Sequence, residues 1–550
     1  MGSAVTVSAA MTVRQIEGDF QTVVEVLRAA ASANADIEAY VEPATDDTPR
    51  RAMTFAQWDR SADGVAGLLQ SHGVGPGTVV CIVLPSSIDY MVCYAAVTRL
   101  GAVTSGINLR LGEPEKRSIL ERTRPVVTIV EDGAPLMDGP TGTVIKRSVA
   151  RAAMGGPPPP SWPTLARSDP VAVVWTSGTT GLPKGAVFDH ARLAAVAAGT
   201  DVLSEPGDRR LSPLPFAHVG SMTRTWDEVA HGVTTVITPT PWRAADAIRI
   251  MASERITVGQ GVPTQWALVL AHPDLETAEI STLRITGTGA SRVPAELIAA
   301  MRERFGAPVV VRYTSTEASL GTGTVPGDRD EVVAMTVGRP VPGVTLSIVD
   351  ESGHPLPSGE VGRVCLRSDA VMCGYWGGPL SGPGAAGVTY DEAATRAVLA
   401  EDGWLTTGDF GYVDDDEGCL HLVGRANELY IRGGYNVYPA EVEGVLSTQP
   451  GISQVAVLGA PDPVLGEIGV AVVVPEEGSR FVGNELFDQL QAAARSELAD
   501  YKAPDCVVVV DALPLTSMMK VDKRALADDV AKLALQRKGV VMARQSGRGS

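Results

Sequence analysis

Short β-branched apolar runs alternate along this chain with longer stretches whose apolar residues recur at helical spacing. The runs at 78–85 (TVVCIVLP), 126–131 (VVTIVE), 171–176 (VAVVWT), 234–239 (TTVITP) and 307–313 (APVVVRY) predict strands. The stretches at 54–73, 113–124, 244–256 and 293–306 predict helices, with Gly73 and Gly306 where a helix would stop. Such alternation predicts layered α/β structure around largely parallel sheet. Near residue 340 the texture changes. GVTLSIVDESGHPLPSGEVGRVCLRS (343–368) reads as short strands joined by turns, a small β-rich subdomain. After 424 a further βα pattern predicts a compact α+β unit. Two Gly/Pro-rich stretches interrupt the pattern: MGGPPPPSWP (154–163), read as a surface connector, and GYWGGPLSGPGAAGVTY (374–390), read as a surface insertion. The expected division is a disordered 1–20, a large N-terminal domain over 21–425, a small mobile C-terminal domain over 426–535, and a tail over 536–550.

With 550 residues, 45% of them hydrophobic, the chain can bury several cores. Its formal net charge of −18 makes it a poor partner for nucleic acid or an anionic membrane surface. An anionic ligand must therefore be held by local lysines, arginines and backbone N–H groups. The six cysteines are scattered, with no CxxC pair, and the seven histidines form no HExxH. Neither a disulfide framework nor a zinc site is expected, and a reducing, cytoplasmic setting is. No run of 18 apolar residues predicts a membrane-spanning helix. The opening MGSAVT fits a loose myristoylation pattern without a second anchoring signal, so lipidation is not expected. Weak peripheral membrane contact and a homodimer are left open.

The chemistry concentrates in a few segments. VVWTSGTTGLPKGA (173–186) carries Thr176, Ser177, Gly178, Thr179, Thr180 and Lys184 between an apolar strand and a helix-like stretch. Glycines there allow a tight turn that aims N–H groups inward; hydroxyls and the lysine add donors and charge, which suits a polyphosphate. Pro183 stands where a Walker loop requires glycine. The run Asp414–Glu417 ahead of Gly418 is better read as a solvated hairpin turn than as a metal site.

WTSGTTGLPKGA resembles the phosphate-binding signature of the adenylate-forming superfamily: acyl-CoA synthetases, peptide-synthetase adenylation domains and beetle luciferases. Further motifs follow in the superfamily's order, over about residues 20–530. In VRYTSTEAS (311–319) the resemblance implies that Tyr313 stacks on adenine, Thr316 meets the α-phosphate and Glu317 ligates Mg²⁺. Thr314 replaces the usual glycine. TGTGAS (286–291) resembles the segment that lines adenine and the acyl pocket, with Gly289 and Ala290. In LPFAHVGSMTR (214–224), His218 would sit between acid and ATP. In GWLTTGDFGYV, Asp409 would accept from both ribose hydroxyls; Arg425 would contact ribose and phosphate. The hinge falls on Asn427, and Gly433, Gly434 and Asn436 would line the coenzyme A tunnel. In PLTSMMKVDK (514–523), Lys520 would bridge carboxylate and α-phosphate, with Met518 and Met519 in place of a small residue and a glycine.

The resemblance implies ATP, Mg²⁺ and coenzyme A, and formation of an acyl adenylate followed by its transfer to a thiol. A medium- or long-chain fatty acid is the first expectation for the acid; GVPTQWALVL (261–270) resembles a pocket wall that Trp266 would shorten. The alternatives are an aryl or alicyclic acid–CoA ligase, an acyl-AMP ligase that loads a carrier protein, and a catalytically weakened nucleotide-binding protein.

Overall fold

The computed structural model describes residues 13–542 except 136, 177–182, 200–201, 290–292, 380–386, 427, 463, 480–484, 517–519 and 535–538. Among the described residues the chain forms four main sheets. An eight-stranded sheet has a parallel centre, including Val79–Val83, Val103–Gly106, Val127–Val130 and Pro170–Trp175, and an antiparallel edge. A nine-stranded sheet is likewise parallel inside, with Ile285–Gly289 beside Val309–Tyr313. An antiparallel four-stranded sheet built from Thr345–Val349, Gly362–Arg367, Leu405–Val413 and Leu420–Arg425 is the β-rich subdomain. The last sheet belongs to the C-terminal unit, where Ile452–Asp462 pairs along nearly the whole of Gly466–Pro475.

The helix Ile88–Arg99 is buried at every position. Its sequence, IDYMVCYAAVTR, is apolar on all sides, as a helix enclosed by other layers must be. Its two charges are matched within the fold. Asp89 accepts from Arg51, Arg147 and Arg151, and Arg99 donates to Asp59 and Asp63.

The stretch at 154–163 is a largely exposed connector, as expected, and two other expectations need correction. The connector packs onto the helix Phe55–Ser71, which has glycines where the two backbones touch. A Cβ on Gly64 would lie 2.3 Å from the Ala153 carbonyl oxygen, and one on Gly67 the same distance from that of Pro157. The stretch at 374–390 is no simple insertion: Gly374–Pro379 and Val388–Tyr390 form an antiparallel edge of the eight-stranded sheet, with Trp376 fully buried. Apolar burial outweighs the Gly/Pro composition there. Finally, residues 13–20 do not all lie outside the fold. Arg14 exchanges two backbone hydrogen bonds with the Asn34 side chain, and Ile16 N–H donates to Ala230.

Candidate active site

The described residues on either side of the Gly/Thr loop are two paired strands rather than a strand and a helix. Pro170–Trp175 pairs antiparallel with Gly185–Asp189, and the helix His190–Ala198 follows only after that second strand. Thr176 N–H donates to the Lys184 carbonyl (2.8 Å), and Lys184 N–H to the Thr176 hydroxyl (3.3 Å), closing the neck. Ser177, Gly178, Thr179 and Thr180 lie outside the described residues. Arg122, which the sequence reading missed, pins the exit of the loop. Its guanidinium donates to the carbonyls of Pro183 (2.7 Å) and Trp376 (3.0 Å) and lies 5.2 Å from the Trp175 ring centre. The Trp376 indole N–H returns a bond to the Arg122 carbonyl.

Val309–Tyr313 delivers the second segment. No helix follows it directly; Ser315 caps a turn by accepting from Ala318 N–H. Thr314 is exposed and Thr316 half-buried. The Glu317 carbonyl accepts from Met372 N–H (2.8 Å), and its carboxylate accepts from the Tyr375 hydroxyl (2.6 Å). Glu317 faces a cavity of about 260 Å³ that Ser315, Tyr375, Arg363 and Thr407 also line. Among the described residues no group of three or more potential ligands could hold a metal. A single carboxylate facing a cavity still fits Mg²⁺, which is commonly bound by one or two carboxylates plus substrate phosphates. Gly289 ends its strand opposite Arg312, where a Cβ would come within 2.2 Å of the Arg312 carbonyl oxygen. Ala290 lies outside the described residues.

Three predicted residues that stand far apart in sequence form one cluster. Asp409 pairs across its hairpin with Arg425, accepts from the guanidinium (2.9 Å) and also accepts from the Tyr313 hydroxyl (2.7 Å). Asp409 is only 4% exposed, so these bonds replace the water it has lost. Burial and the Asp409 anion push the Tyr313 phenol far up, so it stays a donor. The acidic run at 414–417 does form a turn: Asp414 accepts from the N–H groups of Glu417 and Gly418 and holds His421 at 2.9 Å.

Lys520 reaches this cluster from the C-terminal unit. Its loop is closed by Thr516 N–H to the Lys520 carbonyl (2.7 Å) and Asp522 N–H to the Pro514 carbonyl (2.7 Å). Met518 and Met519 lie outside the described residues, as does Asn427. Burial, then the Arg425 cation, push the Lys520 amine down to about 8 against the opposing pull of Asp409 and Glu428. The amine has no ion-pair partner among the described residues. His218 is pushed down to about 4 by burial and by the Lys520 charge. Its Nδ1 accepts from Gly220 N–H (3.2 Å), so the neutral ring carries its proton on Nε2. Lys523, three residues on, pairs with Glu428 and Glu443. Gly433 and Gly434 form an exposed hairpin tip at φ of 57° and 87°. A Cβ on Gly434 would meet nothing within 4 Å. In this arrangement the left-handed turn, rather than close approach, accounts for the glycines. Asn436 is exposed beside them.

The profile of the AMP-binding enzyme family matches residues 27–376, and that of the AMP-binding enzyme C-terminal domain matches 441–520. An indoleacetate–CoA ligase of Aromatoleum aromaticum is 34% identical over 89% of this chain and 94% of its own. The long-chain-fatty-acid–CoA ligase FadD13 of Mycobacterium tuberculosis is 31% identical over 92% and 97%. The crystal structure of ATP-bound MatB from Rhodopseudomonas palustris superposes with a TM-score of 0.81 at 26% identity, covering 93% of this chain and 99% of that one. No helix among the described residues is long and apolar enough to cross a membrane. The chain belongs to the AMP-binding enzyme family of the adenylate-forming superfamily, and within it to the AMP-forming acid–CoA ligases.

Proposed function

We propose that this ligase activates a compact, apolar carboxylic acid, aryl or alicyclic, at the site around Lys520, and then transfers the acyl group to coenzyme A. The observation that carries the reading is the half-buried Lys520 amine, with no ion-pair partner among the described residues, beside Asp409, Arg425 and His218. Attack of a carboxylate on the α-phosphorus of ATP brings two anions together, and a desolvated ammonium between them stabilises the charge that develops. Neutral His218 adds no competing positive charge and offers its Nε2 proton to a carboxylate oxygen. In this reading Thr316 donates to the α-phosphate, while Lys184 and the loop N–H groups hold the departing pyrophosphate. Asp409 and Arg425 take the ribose, with Tyr313 against the adenine. A magnesium ion, held by Glu317 and phosphate oxygens, would supply neutralisation of the triphosphate. In the second half-reaction the C-terminal domain turns about Asn427, which withdraws Lys520 and brings Gly433, Gly434 and Asn436 to the thiol path.

Trp266 supports a compact acid over the fatty acid first expected. Its indole is 1% exposed, donates to the Gly287 carbonyl (3.2 Å), and stacks obliquely on Phe305. A Cβ at Gly259 or Gly261 would come within 3.0 Å of the ring, so the indole fills the space these glycines leave. Acid-dependent pyrophosphate exchange, measured with aryl, alicyclic and unbranched fatty acids, tests the reading. Lys520→Ala should abolish exchange but keep thioester formation from supplied acyl adenylate; equal loss of both half-reactions would remove Lys520 from its role. A preference for long unbranched acids would overturn the compact acid.

A further inference from the structure

Two opposite charges at the phosphate end of the site meet the same side chain from different sides. Neither Lys184 nor Glu317 has an ion-pair partner among the described residues, although both address the same side chain, that of Tyr375. The hydroxyl of Tyr375 donates to the Glu317 carboxylate at 2.6 Å. The face of its ring lies 5.1 Å from the Lys184 ammonium. Tyr375 is 4% exposed.

Its placement is enforced by the backbone. Tyr375 pairs with Ala186, two residues past Lys184, so the sheet register sets the ring beside the lysine. Tyr375 N–H donates to the Thr395 hydroxyl (2.9 Å), and its carbonyl accepts from Asp391 N–H (2.8 Å). Met372, three residues earlier, bonds the backbone of Glu317, so one segment grips that residue at both its carbonyl and its carboxylate. The next residue, Trp376, faces the other way and engages Arg122 behind the phosphate loop.

An unpaired ammonium and an unpaired carboxylate that share one neighbour can pair with each other and cancel unless a group between them satisfies both. An aromatic face satisfies a cation, and a phenol O–H satisfies an anion, without neutralising either. We propose that Tyr375 is a positioning residue that holds Lys184 and Glu317 apart, leaving the lysine charge for ATP phosphates and the carboxylate for Mg²⁺. The inference rests on the reading of Glu317 as the metal-binding carboxylate.

Calorimetric titration of the full chain with ATP, in the presence of Mg²⁺ or of a chelator, tests it. Tyr375→Phe keeps the ring and removes the hydroxyl. It should lower the Mg²⁺-dependent gain in ATP affinity about tenfold, the size expected for one bond to a charged group, and leave metal-free affinity within about twofold. Tyr375→Leu should lower metal-free affinity as well. Equal losses with and without Mg²⁺ in Tyr375→Phe would show a merely structural role, and an unchanged Mg²⁺ gain would overturn the proposal outright. Glu317→Gln separates the two readings. If it leaves the Mg²⁺ gain intact, the metal assignment fails; if it removes the gain while Tyr375→Phe does not, only the tyrosine's role fails. Tyr375→Phe decides alone should Tyr375→Leu not fold.

Discussion

Raising the pH should discharge Lys520 and switch off adenylation while the fold is intact. Burial and Arg425 bring its amine from an ordinary 10.5 down to about 8, which corresponds to roughly 3 kcal/mol of preference for the neutral form. With that value about nine-tenths of the amine is charged near pH 7 and about one-tenth near pH 9, so the rate should fall roughly ninefold across that interval. The assay is acid-dependent pyrophosphate exchange, which isolates the first half-reaction. Its kcat/KM reports the free enzyme and should show an alkaline limb near 8. Its kcat reports the ATP complex, where phosphate charge favours the ammonium, so that limb should lie higher. His218, at about 4, is neutral throughout and adds no limb of its own. Lys520→Arg should be slower yet lack the alkaline limb, because a guanidinium keeps its charge. The stability sign is opposite. A lysine whose folded pKa lies below its unfolded value disfavours the folded, docked state while charged, and that cost is relieved as pH rises from about 8 towards 10.5. A kcat/KM profile flat through about pH 10, or an unchanged limb in Lys520→Arg, would refute the reasoning.

Trp266→Leu should shift acid preference towards longer chains in the exchange assay, at a cost of about 2–3 kcal/mol in urea unfolding from the space it leaves; an unchanged acid ranking would clear Trp266 of any part in selectivity. Asp89→Asn should cost about 3–5 kcal/mol, because it removes a fully buried carboxylate from Arg51, Arg147 and Arg151. Burial alone would raise the Asp89 pKa, but bonds from Arg151, Arg51 and Arg147 hold it well below the carboxylate range. Its stability contribution is therefore present above about pH 4 and lost as pH falls further, so the asparagine variant should unfold with a shallower acid dependence by circular dichroism.

Layer architecture was legible because strands and helices bury apolar residues with different periods, and those periods are written locally. The strands at 79–83, 127–130 and 309–313 and the helices at 55–71 and 295–305 lie where the pattern predicts them. Composition misled where packing overrode it. GYWGGP reads as loop by its glycines, yet Trp376 is buried and the segment becomes a sheet edge that braces the site. The helix Ile88–Arg99 escaped because a helix enclosed on all sides carries almost no amphipathic signal.

The sequence by itself determined which residue types were available for the chemistry and their order: a Gly/Thr loop with Lys184, an acid at Glu317, an acid at Asp409, and Lys520 near the end. Only the tertiary structure decided what surrounds them. Asp409 is tied to Tyr313, 96 positions away, and Glu317 to Tyr375, 58 positions away. Lys520 is brought from another domain into a site where burial and Arg425 lower its pKa. A hydrogen bond or a desolvation cost depends on distances of a few ångströms, and sequence separation does not encode those distances until the sheets have set their registers.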